Sequence, residues 1–239
     1  MTRRPLARIT LICFLLFWVG SPGLAEEAPP LRKLQQTVRA QPENPRAYYE
    51  LGLGYENSGD PEKAIKAFQQ AIRLDPHYAE AYYELGKMKG ELGDSESAIK
   101  ALKQAISLRP ENAEFRARLS EEYNRQGLAL MEQGRAAEAV KAFQESLRGN
   151  PNDEAARNNL GVTYVREGRM GDALRAFAEV IRLNPDNATA HYNLGVAYHL
   201  MGYEVPAYAE FLILKELDPA AAAELSILMF LPKRKSDAK

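Results

Sequence analysis

Cysteine is nearly absent from this chain: Cys13 is the only one in 239 residues, and it lies in an apolar stretch near the start. One thiol cannot build a disulfide framework or a thiolate metal site, so the fold must be held by packing. Histidine is scarce too. The three are His77, His191 and His199, and no pair has the spacing of metal ligands. A surplus of positive charge is also missing. Lys and Arg number 31 against 32 Asp and Glu, net −1, which lacks the basic footprint that nucleic-acid binding needs. The glycines of GLGYENSGD (52–60) are followed by no GK[ST], so they make no phosphate loop. The carboxylates are spread along polar helix faces rather than paired. These gaps predict a non-catalytic protein without cofactor or metal.

Long apolar runs are equally rare. ITLICFLLFWVG (9–20) is twelve residues, short against the roughly 20 needed to span a bilayer. The basic TRRPLAR precedes it, and SPGLA with small residues Gly23 and Ala25 follows. That order is an export signal, with cleavage expected after Ala25 and no membrane span afterwards. Residues 1–25 are read as a signal peptide of the general secretory type. Export without disulfides suits a bacterial periplasm.

What the chain has in abundance is repetition. YYELG occurs at 48–52 and again at 82–86, and NNLGVTY (158–164) is echoed by YNLGVAY (192–198), both 34 residues apart. In that frame position 20 is always alanine: Ala64, Ala98, Ala139, Ala173, Ala207. Position 24 is Phe68, Leu102, Phe143, Phe177, Phe211, and position 32 is Pro76, Pro110, Pro151, Pro185, Pro219. Positions 4, 7 and 11 share one helix face by their spacing, and positions 20, 24 and 27 share a second. Gly at position 8 and Ala at 20 let the two helices approach closely. Gly59, Gly93, Gly134, Gly168 and Gly202 fall where the first helix must stop. Proline cannot continue the second helix, and Asn44, Asn112, Asp153 and Asn187 are placed to cap the next one; Tyr78 does not fit that pattern.

With these residues in view the chain resembles the tetratricopeptide repeat family over about residues 30 to 221. The resemblance implies an all-α, right-handed α-solenoid of helix-turn-helix repeats. The repeats are 45–78, 79–112, 113–153, 154–187 and 188–221. The third carries seven extra residues, AEFRARL (113–119), close to two helical turns, which predicts one long helix over 113–133 projecting beyond its neighbours. Residues 26–44 form a linker and half-repeat that caps the first repeat. Residues 222–239 hold an apolar terminal helix and a basic tail, PKRKSDAK. Leu212 and Ile213 replace polar or small residues of the other repeats. Two explanations stay open for them: the terminal helix packs there, or a partner or second copy does, through Leu212, Ile213, Leu228 and Phe230.

The resemblance also implies a binding groove lined by first helices, taking a protein or peptide partner. Carried over position by position, its residues are Arg46, Tyr49, Glu50 and Leu53; Glu80, Tyr83, Glu84 and Lys87; Asn124 and Arg125; Asn158, Asn159 and Val162; Tyr192, Asn193 and Val196. Tyr49 and Leu53 stand where a carboxylate clamp would need Lys and Asn, so the tail of a chaperone is not the expected ligand. The tyrosines are expected to be anchors, and the asparagine amides could hydrogen-bond an extended backbone. An adaptor or scaffold in envelope assembly is the expected role. Its rival is a protein that oligomerises through its apolar C-terminal surface.

Overall fold

The structure is a computed structural model that describes residues 29–230. The expected signal peptide and the basic tail lie outside the described residues. Among these, helices and short turns account for the whole chain. A lone helix α1 (Pro29–Ala40) comes first. Five helix pairs follow: α2 (Pro45–Asn57) with α3 (Pro61–Leu74), α4 (Ala79–Glu91) with α5 (Ser95–Leu108), α6 (Ala113–Glu132) with α7 (Ala136–Gly149), α8 (Glu154–Arg166) with α9 (Met170–Leu183), and α10 (Ala188–Leu200) with α11 (Glu204–Leu217). A lone α12 (Pro219–Phe230) closes the series.

The helix ends follow from local chemistry. Asn44 accepts from the Arg46 amide at 3.0 Å, Asn112 from Glu114 at 3.0 Å, Asp153 from Ala156 at 2.9 Å and Asn187 from Ala190 at 2.9 Å. Each satisfies a backbone donor that the first turn leaves unpaired. Tyr78 makes no such bond. Between the helices of each pair the chain reverses at Gly59, Gly93, Gly134, Gly168 and Gly202, whose φ values run from 73° to 82°. Glycine enters this left-handed region without the steric cost a Cβ would bring.

Packing explains the recurring small residues. Ala64, Ala98, Ala139, Ala173 and Ala207 are all completely buried. In the first four pairs the glycine of the first helix makes room for a large side chain of the second. A Cβ on Gly127 would lie 2.6 Å from the Phe143 ring, and Gly52 and Gly161 face Phe68 and Phe177 the same way. The largest core cluster runs from Ala139 and Phe143 through Leu160 and Phe177 to Leu194 and Ala197, crossing three repeats. Stacking, and not any single pair, buries the apolar faces.

Two expectations are corrected. α6 is one long helix with Gly127 inside it, but its extra turns do not project. Phe115 is buried against Ala79 and Ala105, with Tyr82 and Tyr83 packed alongside, because an apolar side chain at that point gains more from the neighbouring pair than from water. α12 does not cover Leu212 and Ile213, which stay exposed. It packs through Ala222 and Leu225 on Leu214, Tyr192 and Val196. Leu225, and not Phe211, therefore meets Gly195.

Candidate partner-binding face

The first helices lie side by side and are stitched together by polar contacts. Lys87 of α4 bridges Glu56 of α2 at 2.7 Å and Glu84 of its own helix at 2.8 Å. Arg125 of α6 donates to the Gly90 carbonyl of α4 at 2.7 Å. Asn159 of α8 donates to Asn124 of α6 at 3.1 Å, and Arg166 reaches the Met131 carbonyl at 3.3 Å. One continuous face results, built from α2, α4, α6, α8 and α10.

Much of its charge is already used. Burial works to lower the Lys87 pKa, but hydrogen bonds to Glu56 and Glu84 outweigh it and hold the ammonium above its ordinary value. Burial raises Glu84 despite the opposing bond to Lys87. Glu122 is 0% exposed and receives Arg125 at 2.8 Å and Arg118 at 3.2 Å. Burial pushes its pKa up in spite of both cations. A Cβ on Gly90 would collide with the Glu122 carboxylate, so the glycine is what admits this carboxylate against α4.

The tyrosines are packed as well. Tyr49 lies 5.0 Å from the Tyr78 ring and 5.9 Å from Phe68, and burial lifts its phenol to about 12. Tyr83 stacks on Phe115 at 4.7 Å and donates to Glu114 at 2.9 Å. Burial, then that bond, pushes it up to about 12. Tyr192 and Val196 are half-buried under α12. Each of these positions serves the joint between one repeat and the next.

The remaining residues divide by exposure. Arg46 pairs with Glu50 at 2.9 Å and Glu80 with Arg109 at 2.5 Å. Leu53 and Val162 are partly buried against core clusters. Asn158 is 7% exposed, and its side-chain oxygen has no hydrogen-bond partner. Asn193 is half-buried. The accessible stretch lies on α6, where Arg125, Leu128 and Glu121 are exposed beside the half-buried Asn124. Sequence reasoning missed Glu122, Arg118, Glu114 and the contact of Tyr83 with Phe115; Phe115 and Leu119, four residues apart within the inserted AEFRARL, were the signal available. Leu212, Ile213, Leu228 and Phe230 are exposed. His191 is occupied, with Nδ1 2.6 Å from Glu210 and Nε2 2.9 Å from the Pro185 carbonyl. Among the described residues no three metal-ligating side chains converge, and no helix is long and apolar enough to cross a membrane.

Comparison with known families agrees with this arrangement. Tetratricopeptide repeat profiles match residues 45–78, 79–112 and 124–179, and a TPR repeat profile matches 163–202. The chain belongs to the tetratricopeptide repeat family. Comparison with curated proteins finds no match. Among solved tetratricopeptide structures, YrrB, described as a TPR protein with an unusual peptide-binding site, superposes with TM-score 0.58 at 22% identity. That match covers 82% of this chain and 98% of YrrB. MamA gives 0.54 at 25% identity over 72% of this chain and 97% of its own. PilF of Pseudomonas aeruginosa gives 0.53 at 20% identity over 82% and 86%. These likenesses establish the tetratricopeptide solenoid.

Proposed function

We propose that this tetratricopeptide protein is a non-catalytic scaffold that holds a segment of a partner protein on its first-helix face, centred on α6 and α8, in a periplasmic or envelope assembly. The observation that carries the reading is the division of that face. In α2 and α4 the carboxylates and Lys87 neutralise each other and the tyrosines pack between repeats. On α6 an exposed leucine and a half-buried asparagine amide stand together, beside Arg125, whose guanidinium is held by Glu122 and the Gly90 carbonyl. Leu128 supplies apolar contact, and the Asn124 and Asn159 amides suit an extended backbone, which presents alternating donors and acceptors. The YrrB description makes peptide the natural ligand class for this fold. Export rests on the N-terminal signal pattern of residues 1–25.

Capture from envelope extract tests the reading, with bound proteins identified by mass spectrometry. Leu128→Glu combined with Asn124→Ala should lose the captured protein while keeping helicity. Capture unchanged by that pair would move the site off α6.

A further inference from the structure

Among the described residues the solenoid begins and ends on a helix that has no pair partner. α1 is the second helix of a repeat whose first helix is missing among the described residues. α12 packs on α10 and α11 as a first helix does, and no second helix follows it among them.

First helices meet the one before them through positions 6, 10 and 13 of the repeat: Asn159, Thr163 and Arg166 of α8 reach Asn124 and Met131 of α6. In repeat one those positions are Glu50, Gly54 and Asn57. Together with Leu53, Leu31 and Leu34 they line a crevice of about 290 Å³ between α1 and α2. Its walls are the surface on which a preceding first helix would lie. At the far end Tyr208 occupies the position where Ile65, Ile99 and Val140 are buried, yet it is 46% exposed; on α12 Phe230 is 75% exposed.

We propose that α12 of one copy docks in the α1–α2 crevice of a second copy, so that α12 and α1 complete one repeat between two chains. Charge favours this occupant. α1 carries no carboxylate, and its Arg32, Lys33 and Arg39 outnumber Glu50 of the crevice wall, whereas residues 204–230 carry Glu204, Glu210, Glu216, Asp218 and Glu224 against Lys215. Because the two surfaces differ, the contact is heterologous and each added copy presents a fresh end. This inference does not depend on what the inner face binds.

Light scattering across a concentration series tests it, on the full chain as it accumulates in expressing cells, with its N-terminus read by intact mass. The probes are Phe230→Glu and Asn57→Arg, both at exposed positions and checked by circular dichroism. Wild type should grow beyond a dimer with concentration, less so as salt rises. Each variant alone should be monomeric, with association shifted roughly tenfold or more in concentration. Mixed in equal amounts, the variants should stop at a one-to-one dimer, since each keeps the surface the other has lost. Wild type that stays monomeric overturns the proposal, including the case where residues 1–28 of the same chain fill the crevice. So does an Asn57→Arg variant that associates like wild type, or a mixture that does not pair.

Discussion

Tyr83 of repeat two stacks on Phe115 of the α6 extension with ring centroids 4.7 Å apart and planes 19° from parallel. The seven inserted residues thus give repeat two a partner that the other repeats lack. Tyr83→Ala should therefore cost stability of about 3 kcal/mol. A double-mutant cycle with Phe115→Ala should show coupling of about 0.5–1.5 kcal/mol. Urea unfolding of the four proteins measures both, and strictly additive losses would mean that the stacking contributes nothing of its own.

Glu122 is the closest-held charge in the inter-repeat joint. Its removal leaves Arg118 largely buried with one fewer partner, and the Arg118 Nε already has none. Glu122→Ala should lower unfolding free energy by about 3–5 kcal/mol, as for other broken buried pairs. A loss under about 1 kcal/mol would show that water reaches the pocket and replaces the carboxylate.

The same carboxylate sets a pH dependence. Burial raises Glu84 and Glu122 above the ordinary 4.5, so in the window just above that value the folded state holds protons that the unfolded chain has released. Stability from these groups is then greatest below 4.5 and falls as pH rises through the raised values. Glu84→Gln with Glu122→Gln should flatten the slope of stability against pH just above 4.5, read by thermal unfolding in steps of pH. An unchanged slope would assign it to other groups.

Ala173 is completely buried where α9 crosses α8, with Phe177 one turn on. Ala173→Leu should cost about 1–3 kcal/mol by overpacking, while Gln69→Leu on the exposed side of α3 should be nearly neutral. Equal effects in denaturant titrations would deny Ala173 its special place at the crossing.

How much of this was legible beforehand depends on whether a residue obeys the repeat. The five buried alanines, the five left-handed glycines and the capping Asn and Asp residues follow from a 34-residue frame, because each is fixed by backbone geometry inside one repeat. The joints between repeats were not legible. Tyr49 and Tyr83 looked like free anchors because position 5 says nothing of Tyr78, in the turn that leads into α4, or of Phe115, which approaches from the next repeat. Glu122 read as one more solvated carboxylate, and only the opposing Gly90 admits it to the interior. Leu212 and Ile213 stayed exposed because α12 settled toward Tyr192 and Leu214 instead.

Photo-crosslinking tests the central claim, that the α6 part of the first-helix face carries the partner. A photoreactive residue at Leu128 should capture a defined protein from envelope extract, and the same group at Gln69, exposed on α3, should not. Capture from Gln69 with none from Leu128 would contradict the account.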